Sequence, residues 1–318
     1  MSLRDVLGAL RVTDVARLGP ARRLPAPPPV GTYVPDADPR HALDLARRAG
    51  HPEHCVEALA RTLRALDPAA RRAVVDPLGR LAPSGGHDDA PRVRALELGG
   101  ARARQTDGTT CGSAVLGLLA AAGDPVLALW LTTGLRPGGT TPPRSTPAQS
   151  TARFRALQQA VKRRTNVRSL GPLGWPAALG TPPWGAARVA RHADVRFVER
   201  TVAGGEDADG GPVLRAALVA AARGVPVPLF TGGDLAHGIA TAVPRHVVLL
   251  TRADPQAWRC TVYEPSSGTL HDLPAAALHE AVRVPVARRA LGGWPHVCWA
   301  LLPAGRAGES ARPDAGWA

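Results

Sequence analysis

The chain has 318 residues, 45% of them apolar, enough to bury one sizeable core or two lobes with a smaller appendage. A formal charge of +13 raises the question of polyanion binding, but Lys162 is the only lysine, and the arginines lie in scattered pairs (Arg22-Arg23, Arg47-Arg48, Arg71-Arg72, Arg163-Arg164, Arg288-Arg289), so nucleic acid is not expected as the main partner. Cys55, Cys111, Cys260 and Cys298 are too few and too dispersed for a disulfide framework or a zinc knuckle, and nothing approaches the roughly 20 uninterrupted apolar residues of a membrane span.

Before Gly19, the charges Arg4, Asp5, Arg11, Asp14 and Arg17 break up the apolar residues, so no secretory signal is expected and a cytoplasmic location is the default, with non-classical export left open. Prolines 20, 25, 27, 28, 29 and 35 predict an extended linker behind a short leading helix, making residues 1–35 an arm. Val56, Leu59, Leu63 and Leu66 then fall on one helical face, and Asp67-Pro68 supplies a cap and a first helical position. These predict a helical extension over 36–95, and a propeptide covering a groove is one option for residues 1–95 as a whole. Pro83, Ser84, Gly85 and Gly86 have linker composition and mark a domain boundary.

Beyond that boundary an Ala/Leu helix is predicted from Ser113 to Ala122, stopped by Gly123. Asp124-Pro125 starts a second that Gly134 ends, and Phe154, Leu157 and Val161 mark an amphipathic helix over 148–164. Trp175 and Trp184, in a Pro/Gly-rich stretch, either line a groove or anchor packing. After a helix at 212–222 the signals become strands: Val225 to Phe230, His246 to Thr251, Trp258 to Tyr263, Thr269 to Leu273 and Val297 to Leu302. The expected fold class is α+β, with a helical lobe followed by an antiparallel sheet lobe over 96–303 and a flexible tail over 304–318.

The segment from Gln105 through Thr106, Asp107, Gly108, Thr109 and Thr110 to Cys111 and Gly112 delivers a cysteine onto the first turn of an apolar helix. Unpaired N–H groups and the positive end of the helix dipole favour thiolate there, the nucleophilic form. Attack on a carbonyl needs donors aimed at the resulting oxyanion, and the Gln105 side chain and the Cys111 backbone N–H are the candidates.

With these residues the sequence resembles papain-like cysteine peptidases, which carry a Gln six residues before a cysteine that opens a long helix. The following Gly112 points to the double-glycine, bacteriocin-processing branch. In that branch a catalytic histidine heads an apolar strand and a second strand ends in an acidic residue followed by proline. Pro244-Arg245-His246-Val247-Val248-Leu249-Leu250 and Val262-Tyr263-Glu264-Pro265 resemble those two elements. The resemblance spans residues 99–302. It implies a papain-like fold, a thiol hydrolase acting on a peptide or protein substrate, Cys111 as nucleophile, His246 as general base, Glu264 as its orienting carboxylate and Gln105 in the oxyanion site. Two departures stand out: Thr110 where the branch usually has Asp, and Glu264 where it has Asp. The leader-peptide processing of that branch is not carried over.

His237, in a Gly-rich loop, competes with His246, and a strand holds a base more rigidly than a loop. His192, His271, His279 and His296 read as surface or packing residues, and Cys55, Cys260 and Cys298 as small hydrophobes. Asp107 before Gly reads as turn chemistry. No cofactor and no metal site is expected, and the oligomeric state is not legible. Two alternatives stay open: an acyl transferase or transglutaminase-like enzyme on the same fold, and a catalytically idle binding module recruited through the helical amino-terminal region or arginine charge.

Overall fold

Local chemistry starts most of the helices. Asp38, Asp67 and Asp124 each place a carboxylate over the first free amides of the next turn, with proline at the first helical position, and open α1 (Pro39–Arg48), α3 (Pro68–Val75) and α5 (Pro125–Thr133). Between them lie α2 (Glu53–Ala65) and α4 (Cys111–Gly123). Gly134 closes α5 in the left-handed conformation, and a Thr146/Gln149 capping box opens α6 (Pro147–Asn166). The computed structural model describes residues 23–81, 92–139, 145–167, 169, 173–176, 180–202, 211–233, 244–279 and 281–306. The leading helix, the linker glycines 85 and 86, His237 and most of the expected tail lie outside the described residues.

The fold is mixed α+β. Its sheet has eight strands, antiparallel throughout, in the order β1-β9-β8-β7-β6-β10-β5-β4. The strands are β1 (Arg92–Ala95), β4 (Arg191–His192), β5 (Val195–Thr201), β6 (Val227–Gly232), β7 (His246–Asp254), β8 (Arg259–Glu264), β9 (Thr269–Pro274) and β10 (His296–Arg306). A small hairpin, β2 (Glu97–Leu98) with β3 (Ala101–Arg102), precedes the cysteine helix. Alternation divides β7: Val247 and Leu249 join the core cluster that holds α4, while Val248 and Leu250 join the one that holds α8 (Gly211–Ala222) and α9 (Pro285–Ala290). Helices therefore cover both faces of the sheet, which explains why β7 reads as one apolar run. Among the described residues no single helix is long and apolar enough to cross a membrane.

Three differences from the sequence reading have physical reasons. Residues 92–95, expected within the helical extension, form the edge strand β1 on β9. With one valine between arginines the segment lacks an apolar signature, and charged side chains suit an exposed sheet edge. Strand β5, where Arg196, Glu199 and Arg200 interrupt the apolar positions, was not expected at all. Finally, residues 23–81 do not cover Cys111. His51 and Arg191 meet Asp124 at 2.9 and 3.3 Å, Tyr33 donates to Asp194 (2.7 Å), and Arg80 donates to the Gly224 carbonyl (2.7 Å). Asp124 follows the last residue of α4, about 20 Å along the helix from its first. Leu45, Leu59, Leu63 and Val74 share one core with Val115, Leu118 and Leu129, and the extension helices α1 and α3 pack on α5, the helix that follows the cysteine helix.

Candidate active site

The turn before Cys111 is tied together by one hydroxyl. Thr110 Oγ1 accepts from the Thr106 and Asp107 amides (3.0 Å each) and donates to the Asp107 carbonyl (3.0 Å), with Thr110 fully buried. Asp107 accepts from the Thr109 amide (2.8 Å) and hydroxyl (2.6 Å), the local turn chemistry expected of it. Lys162 donates to the Thr109 hydroxyl from outside. Thr110 thus does structural work that a carboxylate could not duplicate, since its oxygen both accepts and donates. As N-cap residue it makes no side-chain bond to α4, which leaves the first amides of that helix uncapped beside the sulfur.

Cys111 is 5% exposed and lines a partly open cavity of about 70 Å³ together with His246, Phe230, Gly108 and Thr181. Gly112 is required here: a Cβ on it would come within 2.7 Å of the Thr181 side chain, so a larger residue would push the Gly180–Thr181 wall off the cysteine. Trp175 and Trp184 pack edge to face at 5.4 Å, and the Trp184 indole donates to the Ser169 carbonyl (2.7 Å). Trp184 is still 41% exposed, and neither lines this cavity.

His246 opens β7, and the register Leu249↔Tyr263 places Glu264 diagonally across from it on the same face. A diagonal partner is farther than a direct one, and the extra methylene of Glu covers that distance: His246 Nε2 meets Glu264 Oε1 at 2.9 Å, both side chains buried. The Cys111 side chain shares the cavity with the imidazole and acts to raise its pKa. With Nε2 on the carboxylate, Nδ1 is the nitrogen left for sulfur. Burial alone would lower the imidazole pKa, but Cys111 and Glu264 outweigh it and raise the value to about 9.

Glu264 collects five donors. Beside His246, the amide and hydroxyl of Ser266 reach Oε1 (2.8 and 2.5 Å), and the amide and hydroxyl of Ser267 reach Oε2 (2.8 and 2.7 Å). Burial works against its ionisation, yet the bonds from His246, Ser266 and Ser267 hold the carboxyl well below the usual carboxylate range. The pair is therefore preset as imidazolium on carboxylate.

Gln105 stands apart. Its Nε2 donates to the Asp107 carbonyl (2.8 Å), and it lines a second cleft of about 430 Å³ on the other flank of the turn, rimmed by Arg102, Arg104 and Arg155, rather than the cavity at Cys111. Two contributors escaped the sequence reading. Gly292, at φ +70°, lies against the imidazole so closely that a Cβ would sit 2.2 Å from His246 Cδ2; its only signal was a Gly-Gly pair behind a helix. His271, expected at the surface or in packing, is 6% exposed and hydrogen-bonded through Nε2 to Thr269 (2.9 Å). The remaining cysteines are elsewhere: burial first, then Asp272, pushes the Cys260 thiol up to about 12. Among the described residues no group of three or more His, Cys, Asp or Glu side chains could hold a metal ion.

Comparison with protein-family models, with curated proteins and with solved structures yields no match to this chain.

Linkage fixes how this pair responds to pH. The raised His246 value contributes stability that is complete below about 6.5 and disappears as pH rises through about 9, worth about 3 kcal/mol. The lowered Glu264 value contributes stability that is complete above its ordinary value near 4.5 and disappears as pH falls through the lowered one. Urea unfolding midpoints are expected to fall between pH 6.5 and 9.5, and His246→Gln to flatten that decline. An equally steep decline in the variant would place the titrating group elsewhere.

Proposed function

We propose that the chain is a papain-like thiol hydrolase, a cysteine peptidase cleaving a peptide or isopeptide bond. The observation that carries this reading is the row Cys111, His246, Glu264: a sulfur at uncapped helix amides, sharing a cavity with an imidazole whose Nε2 rests on a saturated carboxylate. A buried structural cysteine has no need of such a partner.

The chemistry follows from the contacts. The Cys111 thiolate attacks the carbonyl carbon, and the carbonyl electron pair moves onto oxygen. The Cys111 backbone N–H is the donor for that oxyanion, and Gln105 joins it only by turning its amide away from the Asp107 carbonyl and the second cleft. As the C–N bond breaks, Nδ1–H of His246 protonates the departing amine, leaving a thioester. Water then attacks the thioester while Nδ1 takes its proton, the C–S bond breaks, and the carboxylic product leaves thiolate and imidazolium restored. Glu264 keeps Nδ1 facing sulfur throughout.

Limiting iodoacetamide at neutral pH, with the modified residue mapped by mass, is the test. Cys111 is expected to react at least tenfold faster than Cys55, Cys260 or Cys298, and His246→Ala to remove most of that advantage. Equal reactivity of the four cysteines would end the proposal. With a peptide library, products heavier by one water mark hydrolysis, whereas a gained amine marks acyl transfer.

A further inference from the structure

Beyond Glu264 the hydrogen bonds continue. Ser267 Oγ lies 2.7 Å from Glu264 Oε2, Thr269 Oγ1 lies 2.5 Å from Ser267 Oγ, and His271 Nε2 lies 2.9 Å from Thr269 Oγ1. Each hydroxyl has one proton to give, and that count fixes every direction. A carboxylate oxygen only accepts, so the Ser267 proton points at Glu264. The contact between the two hydroxyls must then use the Thr269 proton, donated to Ser267. Thr269 has none left for the imidazole, so His271 Nε2–H is the donor at the far end. The chain therefore runs one way, from a buried histidine to the carboxylate that holds the catalytic one, and bonds aligned in this way polarise one another.

We propose that His271 is a positioning residue of the thiol site, acting through Thr269 and Ser267 to keep Glu264 charged and fixed beneath His246. The inference rests on the hydrolase reading above. His271 suits the task because its protonation is resisted: Nδ1 is buried with no hydrogen-bond partner, and a second N–H there would be stranded. Arg289 of α9 faces it as a second cation, while Glu264 and Asp272 face it as anions. Burial leads in lowering its pKa, so the Nε2–H tautomer persists at neutral pH. On the flanking strands its register partners are Val93 and Val262, which carry no charge.

Three variants test this through the pH profile of Cys111 alkylation. His271→Leu removes the terminal donor, Thr269→Val cuts the chain in the middle at equal volume, and His271→Gln restores an N–H near the position of Nε2. A loosened carboxylate stabilises imidazolium less, so the acidic limb of the profile is expected to move up by about half a pH unit, roughly threefold in rate at fixed pH, in the first two. The double variant His271→Leu/Thr269→Val should move it no further, and Gln should bring it back. Wild-type limbs in both His271→Leu and Thr269→Val, with both folded by circular dichroism, would overturn the inference while leaving the hydrolase intact. Shifts that add in the double variant would also overturn it. If the wild type itself shows no fast Cys111 reaction at any pH, the hydrolase reading falls, and this inference with it.

Discussion

Gly292→Ala is expected to slow Cys111 alkylation about 100-fold. The new methyl would start 2.2 Å from His246 Cδ2 and 2.6 Å from Nε2. The ring must swing away by about 1 Å, and displacement of that size in a reacting group costs roughly two orders of magnitude. Gly293→Ala is the matched control: it also has positive φ (+89°), but nothing stands within 4 Å of its added carbon. Both variants should lose about 1 kcal/mol to backbone strain, and only the first should lose reactivity. Equal rates in the two would mean that the imidazole does not rest on Gly292.

The largest stability loss is expected from Glu264→Leu. Leucine would strand the Ser266 and Ser267 amides, two hydroxyls and the imidazolium in a buried site, a type of deletion that costs about 3–5 kcal/mol. Glu264→Gln keeps one acceptor oxygen and should cost less than half as much. Urea unfolding at pH 6 reads both, and a Leu variant as stable as wild type would show that the carboxylate is not the hub of this turn.

How much of this was readable depends on how far along the chain each partner sits. Cys111 was legible because its turn and its helix lie within a dozen residues, and capping rules are local. His246 and Glu264 were legible as neighbours because two strands joined by one turn fix their own register. The Asp67 and Asp124 caps were equally plain, since a carboxylate ahead of a proline has few other uses. Gly292 was not readable: its importance is a contact with a ring 46 residues away, and glycine behind a helix is ordinary punctuation. Strands β1 and β5 hid because their charged side chains belong at half-exposed positions, which leaves no apolar run to find. His271 was passed over for a different reason. Its role comes from counting protons on two hydroxyls, and that count needs coordinates. Gln105 was found by spacing alone, and the bond from its Nε2 to the Asp107 carbonyl depends on a side-chain rotation that spacing does not determine.

Because Asp124, at the back of the cysteine helix, is clamped by His51 and Arg191 while α1 and α3 pack on α5, Cys111 is braced from a remote region of the chain. A protease trimming this part away would not unmask a waiting enzyme, as it does when it frees a zymogen. It would strip the cover from α5, and the released remainder would present an oily face to water. Control of this site by cutting the amino-terminal helices would therefore switch it off.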